Sequence, residues 1–131
     1  MIFIDSNIPM YLVGTDEGRR ADAIRALERL IVEREKLVTS AEVLQEILHR
    51  YVAIGRREAI QPAFDALLGV VDEVYPVVLE DTQRARTIVL GHPRLSARDA
   101  IHLAVMERNG VSTILSFDAG FDGFPGISRR S

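Results

Sequence analysis

The chain has no cysteine, which excludes disulfides, thiolate catalysis and cysteine-ligated zinc together. Any metal chemistry must therefore use oxygen donors or the three histidines. Lysine is nearly absent: of the 16 Lys and Arg residues only Lys36 is lysine, which leaves 15 arginines. A GC-rich coding sequence produces such a count, and so does a surface that needs bidentate phosphate or carboxylate contacts. Positive charge is not in excess, since the net charge is −3 and the pI is near 5.6. No global basic field draws the molecule to nucleic acid, so any such contact must be local.

Long apolar runs are missing as well. None approaches the roughly 18 residues that span a bilayer, and the N-terminus lacks a basic segment followed by a long apolar one, so no membrane association and a cytoplasmic location are expected. There is no internal repeat, linker or low-complexity segment. What is present is 131 residues, 47% hydrophobic and 27% charged, which is ordinary globular usage and enough to bury a core in one domain, 1–131.

Ile2 to Ile4 read as a short buried strand, and Ala23, Ile24, Leu27, Leu30 and Ile31 place a helix over 20–32. Leu37 and Val38 form a second strand, ended by Thr39 and Ser40 as the N-cap region of a helix carrying Val43, Leu44, Ile47, Leu48, Tyr51 and Val52. A further helix follows Gly55 through Phe64, Leu67 and Leu68. The run VYPVVL reads as an edge strand that tolerates Pro76, and EDTQRARTIVLG returns to helical spacing. SARDAIHLAVMERNG is a helix from Ser96 to Gly110, STILSFD a last buried strand, and the tail a loop with a short edge strand near Ile127. Short apolar strands alternating with helices predict an α/β fold, a parallel sheet covered on both faces.

The first strand ends on a carboxylate, Asp5, in MIFIDSN. A charge in apolar surroundings costs several kcal/mol unless something pairs with it, so Asp5 faces solvent, caps a helix or binds a cation. Asp118 closes the last buried strand in the same way. Asp99 has Leu103 and Met106 on its own helical face; it is either the third helical residue completing a capping box with Ser96 or part of a site. Glu46 is either a surface partner of Arg50 or a third member of that site. Glu42 is accounted for as the third helical residue after a Thr39 cap. Four carboxylates converging at one sheet edge would repel by roughly 3 kcal/mol per pair at 5 Å and an effective dielectric near 20. Such a cluster calls for a hard divalent cation, Mg²⁺ with Mn²⁺ possible, held by oxygen ligands.

Asp5 in FIDSN, Glu46 in SAEVLQEIL, Asp99 in SARDAIHLAV and Asp118 in ILSFDAGFDGFPGI resemble, in order and spacing, the PIN-domain nucleases, and the whole chain is similar to VapC-type toxins of bacterial toxin–antitoxin pairs. The resemblance implies a PIN-like three-layer sandwich with about five parallel strands. It also implies a metal-dependent endoribonuclease, a homodimer and inhibition by a cognate small antitoxin. By the same resemblance Asp5, Glu46, Asp99 and Asp118 hold the metal, while Ser6, Asn7 and Ser116 orient ligands or water. In SFDAGFD the closing acid is Asp118, with Asp122 a supporting or structural neighbour. Arg50 and Arg98, and beyond them Arg94, Arg129 and Arg130, are candidates for RNA phosphates or else solvated surface. His49, His92 and His102 carry little weight; His102, three residues after Asp99 on a largely apolar helix, either approaches the site or is a core or border residue.

Competing folds with acids at strand ends fit less well. A phosphatase of this sheet type has a second Asp two residues after the first, where this chain has Asn7, and a receiver domain needs a lysine near the last strand, far from Lys36. A non-catalytic PIN-like interaction module is the alternative function, but it has no reason to keep a repelling cluster.

Overall fold

In the computed structural model, which describes residues 1–131, the first apolar triplet forms β1 (Ile2–Ile4) with every side chain buried. Four more strands follow, β2 (Leu37–Ser40), β3 (Glu73–Tyr75), β4 (Thr113–Leu115) and β5 (Ser128–Arg130). They pair in the order β3-β2-β1-β4-β5, all parallel. The centre of the sheet is β1, with Phe3 opposite Val38 on one side and Ile114 on the other. A strand flanked by neighbours and covered on both faces needs no polar alternation, which is why IFI is a continuous apolar run.

Six helices flank this sheet: α1 (Asn7–Leu12), α2 (Glu17–Val32), α3 (Ala41–Ala53), α4 (Ile60–Leu68), α5 (Leu79–Gly91) and α6 (Ala97–Arg108). Helix α1 touches α2 and α4, α3 touches α4 and α6, and α5 packs along α6. From β1 the chain lays β2 and β3 outward on one side, then β4 and β5 on the other. Strand order thus reverses at β1, and the crevice beyond the carboxyl ends of β1 and β4 is where such sheets bind ligands.

Several local expectations change. Helix α1 left no periodic signal because six residues make under two turns; Pro9 sits in its first turn, where a missing N–H costs nothing. The strand expected over VYPVVL stops at Tyr75, since Pro76 has no N–H to continue the ladder, and Val78 instead precedes α5. Thr39 is not a cap: it is a strand residue whose hydroxyl donates to the Ile4 carbonyl at 2.9 Å, tying β2 to β1. Ser40 takes the cap position, which makes Glu42 the second helical residue rather than the third. Leu48, Val52, Ile24 and Ile31 belong to the apolar stripes of their helices yet are exposed. Only the residues aimed at the sheet, such as Val43, Ile47 and Tyr51, go under.

Candidate metal centre

Asp5 follows β1 directly and is buried, and its oxygens are held from several directions. The Ser6 backbone N–H donates to Oδ1 at 2.8 Å, and the Ser116 hydroxyl donates to Oδ2 at 2.6 Å. Asn7 Nδ2 donates to Ser116 Oγ at 3.1 Å and to Asp5 Oδ2 at 3.4 Å. Asp118 N donates to the same Ser116 oxygen at 3.0 Å, and Phe117 N donates to Asn7 Oδ1 at 3.3 Å. The register of β1 against β4 brings FIDSN and LSFD together this way. Burial still dominates and raises the Asp5 carboxyl above its ordinary range, with His102 and Ser116 pulling the other way.

Glu46, half-buried on α3, does not pair with Arg50; His102 Nε2 on α6 donates to its Oε1 at 3.1 Å. Burial pushes Glu46 up, but the bond to His102 and that residue's charge, helped by Ser6 and Arg98, bring it below the ordinary value. His102 is fully buried, packed on Phe3 with ring centroids 5.5 Å apart. Its Nε2 also lies 3.8 Å from Asp5 Oδ1, and its Nδ1 has no partner. Burial disfavours the imidazolium, yet Glu46, Asp5 and Asp99 outweigh it and the pKa is raised. The core position expected for His102 is therefore also a place in the cluster. The signal for it was a polar side chain three residues after Asp99 on an otherwise apolar face.

Asp99 does take the third helical position, and its N–H donates to Ser96 Oγ at 3.1 Å. Its carboxylate, however, makes no bond back to Ser96. Burial first, then the charge of Asp5 and further those of Asp118 and Glu46, push Asp99 up to about 6 against the attraction of His102. Asp118 does not close the strand: β4 ends at Leu115, and Asp118 lies three residues on, exposed, as the cap of a short turn, its Oδ1 accepting from Gly120 N at 2.8 Å. Asp122 lies further along, paired with Arg129 at 2.8 and 3.0 Å. Arg129 in turn donates to the Ser116 carbonyl at 3.1 Å, so Asp122 reaches the cluster only through Arg129.

The donor set suits a divalent cation. One ligand atom each from Asp5, Glu46 and His102 lie within 4.8 Å of one another, Asp99 feels the charges of Asp5, Asp118 and Glu46, and no arginine or lysine forms an ion pair with any of the four carboxylates. A PIN domain profile matches residues 2–127. The chain belongs to the PIN-domain family.

It is 59% identical over 129 residues to Ribonuclease VapC13 of Mycobacterium tuberculosis, a match that covers 98% of each chain. Among solved structures it is similar to Mycobacterium tuberculosis VapC20, a sarcin-ricin loop cleaving toxin. The TM-score is 0.75 and the identity 25%, over 97% of this chain and 98% of that one. It shares its fold with a chain of a toxin–antitoxin complex from Klebsiella pneumoniae, at a TM-score of 0.69 and 18% identity, over 98% and 96% of the two chains.

Around the acids of this PIN domain the arginines divide. Arg129 and Arg130 are engaged, with Asp122 and with Glu33 (2.8 and 3.1 Å) respectively, because both belong to the edge strand β5 and face acids beside it. Arg94 lies by a shallow cavity near Asp122. Arg50 and Arg98 line a cavity of about 320 Å³ with Asn7, Met10, Tyr11 and Glu46, next to the acidic cluster.

Proposed function

We propose that this PIN domain, residues 1–131, is a metal-dependent endoribonuclease that hydrolyses RNA phosphodiester bonds as the toxin of a type II toxin–antitoxin pair. The likeness to a protein named ribonuclease supports the activity. The observation that carries it is the cluster of Asp5, Glu46 and His102, one ligand atom of each within 4.8 Å of the others, beside Asp99, which burial and then the charge of Asp5 push up to about 6. Asp5, Glu46, Asp99 and Asp118 would hold Mg²⁺, or Mn²⁺, which when bound supplies Lewis acidity for water attack and neutralises charge on the phosphodiester.

The remaining roles belong to the chain itself. Ser116, Ser6 and Asn7 orient Asp5 through the bonds to its two oxygens, the kind of outer support that fixes a ligand's direction. His102 orients Glu46 and shares its buried charge. Gly120 N holds Asp118 in place. Arg50 and Arg98 face one cavity at the edge of this cluster, positioned to take a phosphate of the RNA. Products with a 5′-phosphate and a 3′-hydroxyl follow from the family likeness. So do a homodimer and inhibition by a cognate small antitoxin, for which the shared fold with a chain of a toxin–antitoxin complex is further support.

The test is incubation of the purified protein with mixed tRNA, rRNA and mRNA in Mg²⁺, Mn²⁺ or chelator, followed by mapping of the ends. Cleavage is expected only with the metals. Asp118→Asn should lower it more than a hundredfold, whereas Asp122→Asn, acting through Arg129, should cost roughly tenfold or less, as an outer partner does. Cleavage that persists in chelator overturns the reading, and a reversed order of the two variants moves the site along the loop to Asp122.

A further inference from the structure

A second groove reaches the acidic cluster through Phe117. Arg19, Asp22, Ala26 and Arg29 fall at i, i+3, i+7 and i+10 along α2 and so share one face of it. With Arg25, Phe117 and Ser131 they line a cavity of about 230 Å³. Arg25 is paired with Asp22, which leaves Arg19 and Arg29 with no ion pair on a molecule whose net charge is −3. Phe117 is the residue between Ser116 and Asp118, and its N–H is bonded to Asn7, so the groove begins where the cluster ends.

The two grooves meet at a ring pair. Tyr11, which lines the Arg50–Arg98 cavity, packs against Phe117 with centroids 5.7 Å apart and planes tilted by 48°. The Arg19 guanidinium lies 5.8 Å from both centroids. This arrangement holds a planar cation at the rim of the site with its fork free, although Arg19 itself is exposed. Loose surface arginines do not need two aromatic faces to hold them. Half-buried rings beside arginines that form no ion pair are the combination that single-stranded nucleic acid selects, with phosphates on the cations and bases stacked on the π-faces.

Resting on the ribonuclease reading above, we propose that the Arg19–Arg29 face of α2, together with Tyr11 and Phe117, is a binding subsite for single-stranded RNA on one side of the bond that is cut. Arg19 and Arg29 bind successive phosphates there, and the Tyr11–Phe117 ridge supports a base between this groove and the one lined by Arg50 and Arg98. Charge complementarity and continuity with the acidic cluster favour RNA over a protein segment as the occupant.

The experiment uses the full chain and a fluorescein-labelled single-stranded uridine oligonucleotide. Binding is read by anisotropy in chelator, and kcat and KM are read in Mn²⁺ on an RNA the wild type cleaves, both across a KCl series. Arg19→Ala and Arg29→Ala should each raise Kd and KM about tenfold, with much smaller changes in kcat, and should flatten the slope of log affinity against log salt by about 0.7 per lost phosphate contact. Phe117→Leu should weaken binding about tenfold without changing the salt slope, as loss of a stacked base does. Arg19→Lys should keep the slope while recovering only part of the affinity. Arg57→Ala, on an exposed turn outside the groove, should change nothing.

Unchanged Kd, KM and slope in Arg19→Ala and Arg29→Ala overturn the subsite. So does a pattern in which those variants bind RNA normally but escape inhibition by the small protein encoded beside this chain, because the groove then belongs to that partner. A wild type that binds the oligonucleotide with the expected variant dependence but cleaves no RNA in any divalent metal leaves the subsite standing and overturns the nuclease reading instead.

Discussion

At the scale of single residues the acidic cluster predicts a pH dependence with a definite sign. Asp99 is raised to about 6 by burial and then by Asp5, and Asp5 is raised by burial as well. A carboxyl whose folded pKa lies above its unfolded one binds more protons when folded, so stability falls as pH rises between the two values. His102, raised by Glu46 and Asp5 against burial, works in the same direction, contributing stability at low pH that is lost as pH climbs through its folded pKa. Within the cluster Glu46, lowered by His102 against burial, opposes them, as do the exposed Glu33, Glu58 and Asp122, each lowered by an arginine beside it. The metal-free protein should therefore become less stable to urea as pH rises from about 4 to 7. Asp99→Asn should lose much of that slope and be the more stable protein at pH 7, and adding Mg²⁺ to the wild type should remove the decline. Wild-type stability that rises steadily over this range without metal would mean the carboxylates are not crowded.

At the scale of elements the cluster depends on how α6 is held, since α6 carries Asp99 and His102. Its last turn is clamped to the start of α5. Arg108 donates to Asp81 at 2.8 and 3.1 Å and to the Pro76 carbonyl at 3.0 Å, and the buried Asp81 also accepts from Val78 N at 2.9 Å. Asp81→Ala leaves that N–H at the helix start without its partner, which costs about 1–3 kcal/mol. Asp81→Asn keeps an acceptor and should recover part of the loss. Urea denaturation in the presence of metal measures both, and no difference between wild type and Asp81→Ala would show that the clamp contributes nothing. Because Asp81 is far from the acids in role, cleavage per folded molecule is expected to survive the change.

At the scale of the whole molecule, charge separation matters more than the total. A net charge of −3 coexists with an acidic cluster and arginines grouped in two cavities beside it, so nucleic acid is drawn to a place rather than to the surface at large. No helix is long and apolar enough to cross a membrane. A homodimer that co-purifies with a small protein from the neighbouring gene, and loses nuclease activity in that complex, is the expected behaviour. Sedimentation at micromolar concentration and cleavage assays with and without the partner check it; a monomer that no neighbouring product inhibits would count against the toxin reading.

The sequence by itself determined the elements with strong local signals. A continuous apolar triplet made β1 and the pair Ile114–Leu115 made β4, the 3.6-residue spacing made α2, α3 and α6, and the absence of cysteine confined metal chemistry to oxygen and imidazole. It also marked Asp5 and Asp118 as acids in the wrong place, since a buried strand has no local reason to end on a charge. Tertiary structure decided the rest, because the deciding partners lie far away in the chain. Whether Glu46 would answer Arg50 or His102 depended on α3 packing against α6 across 56 residues. Whether Asp99 would close a capping box or join Asp5 depended on the crevice α6 enters, and the choice among Leu48, Val52 and Ile47 for burial depended on which side of α3 the sheet occupied. The meeting of Tyr11, Arg19 and Phe117 had no trace in the sequence, because three side chains from a short helix, a long helix and a loop become neighbours only when β1 and β4 lie side by side.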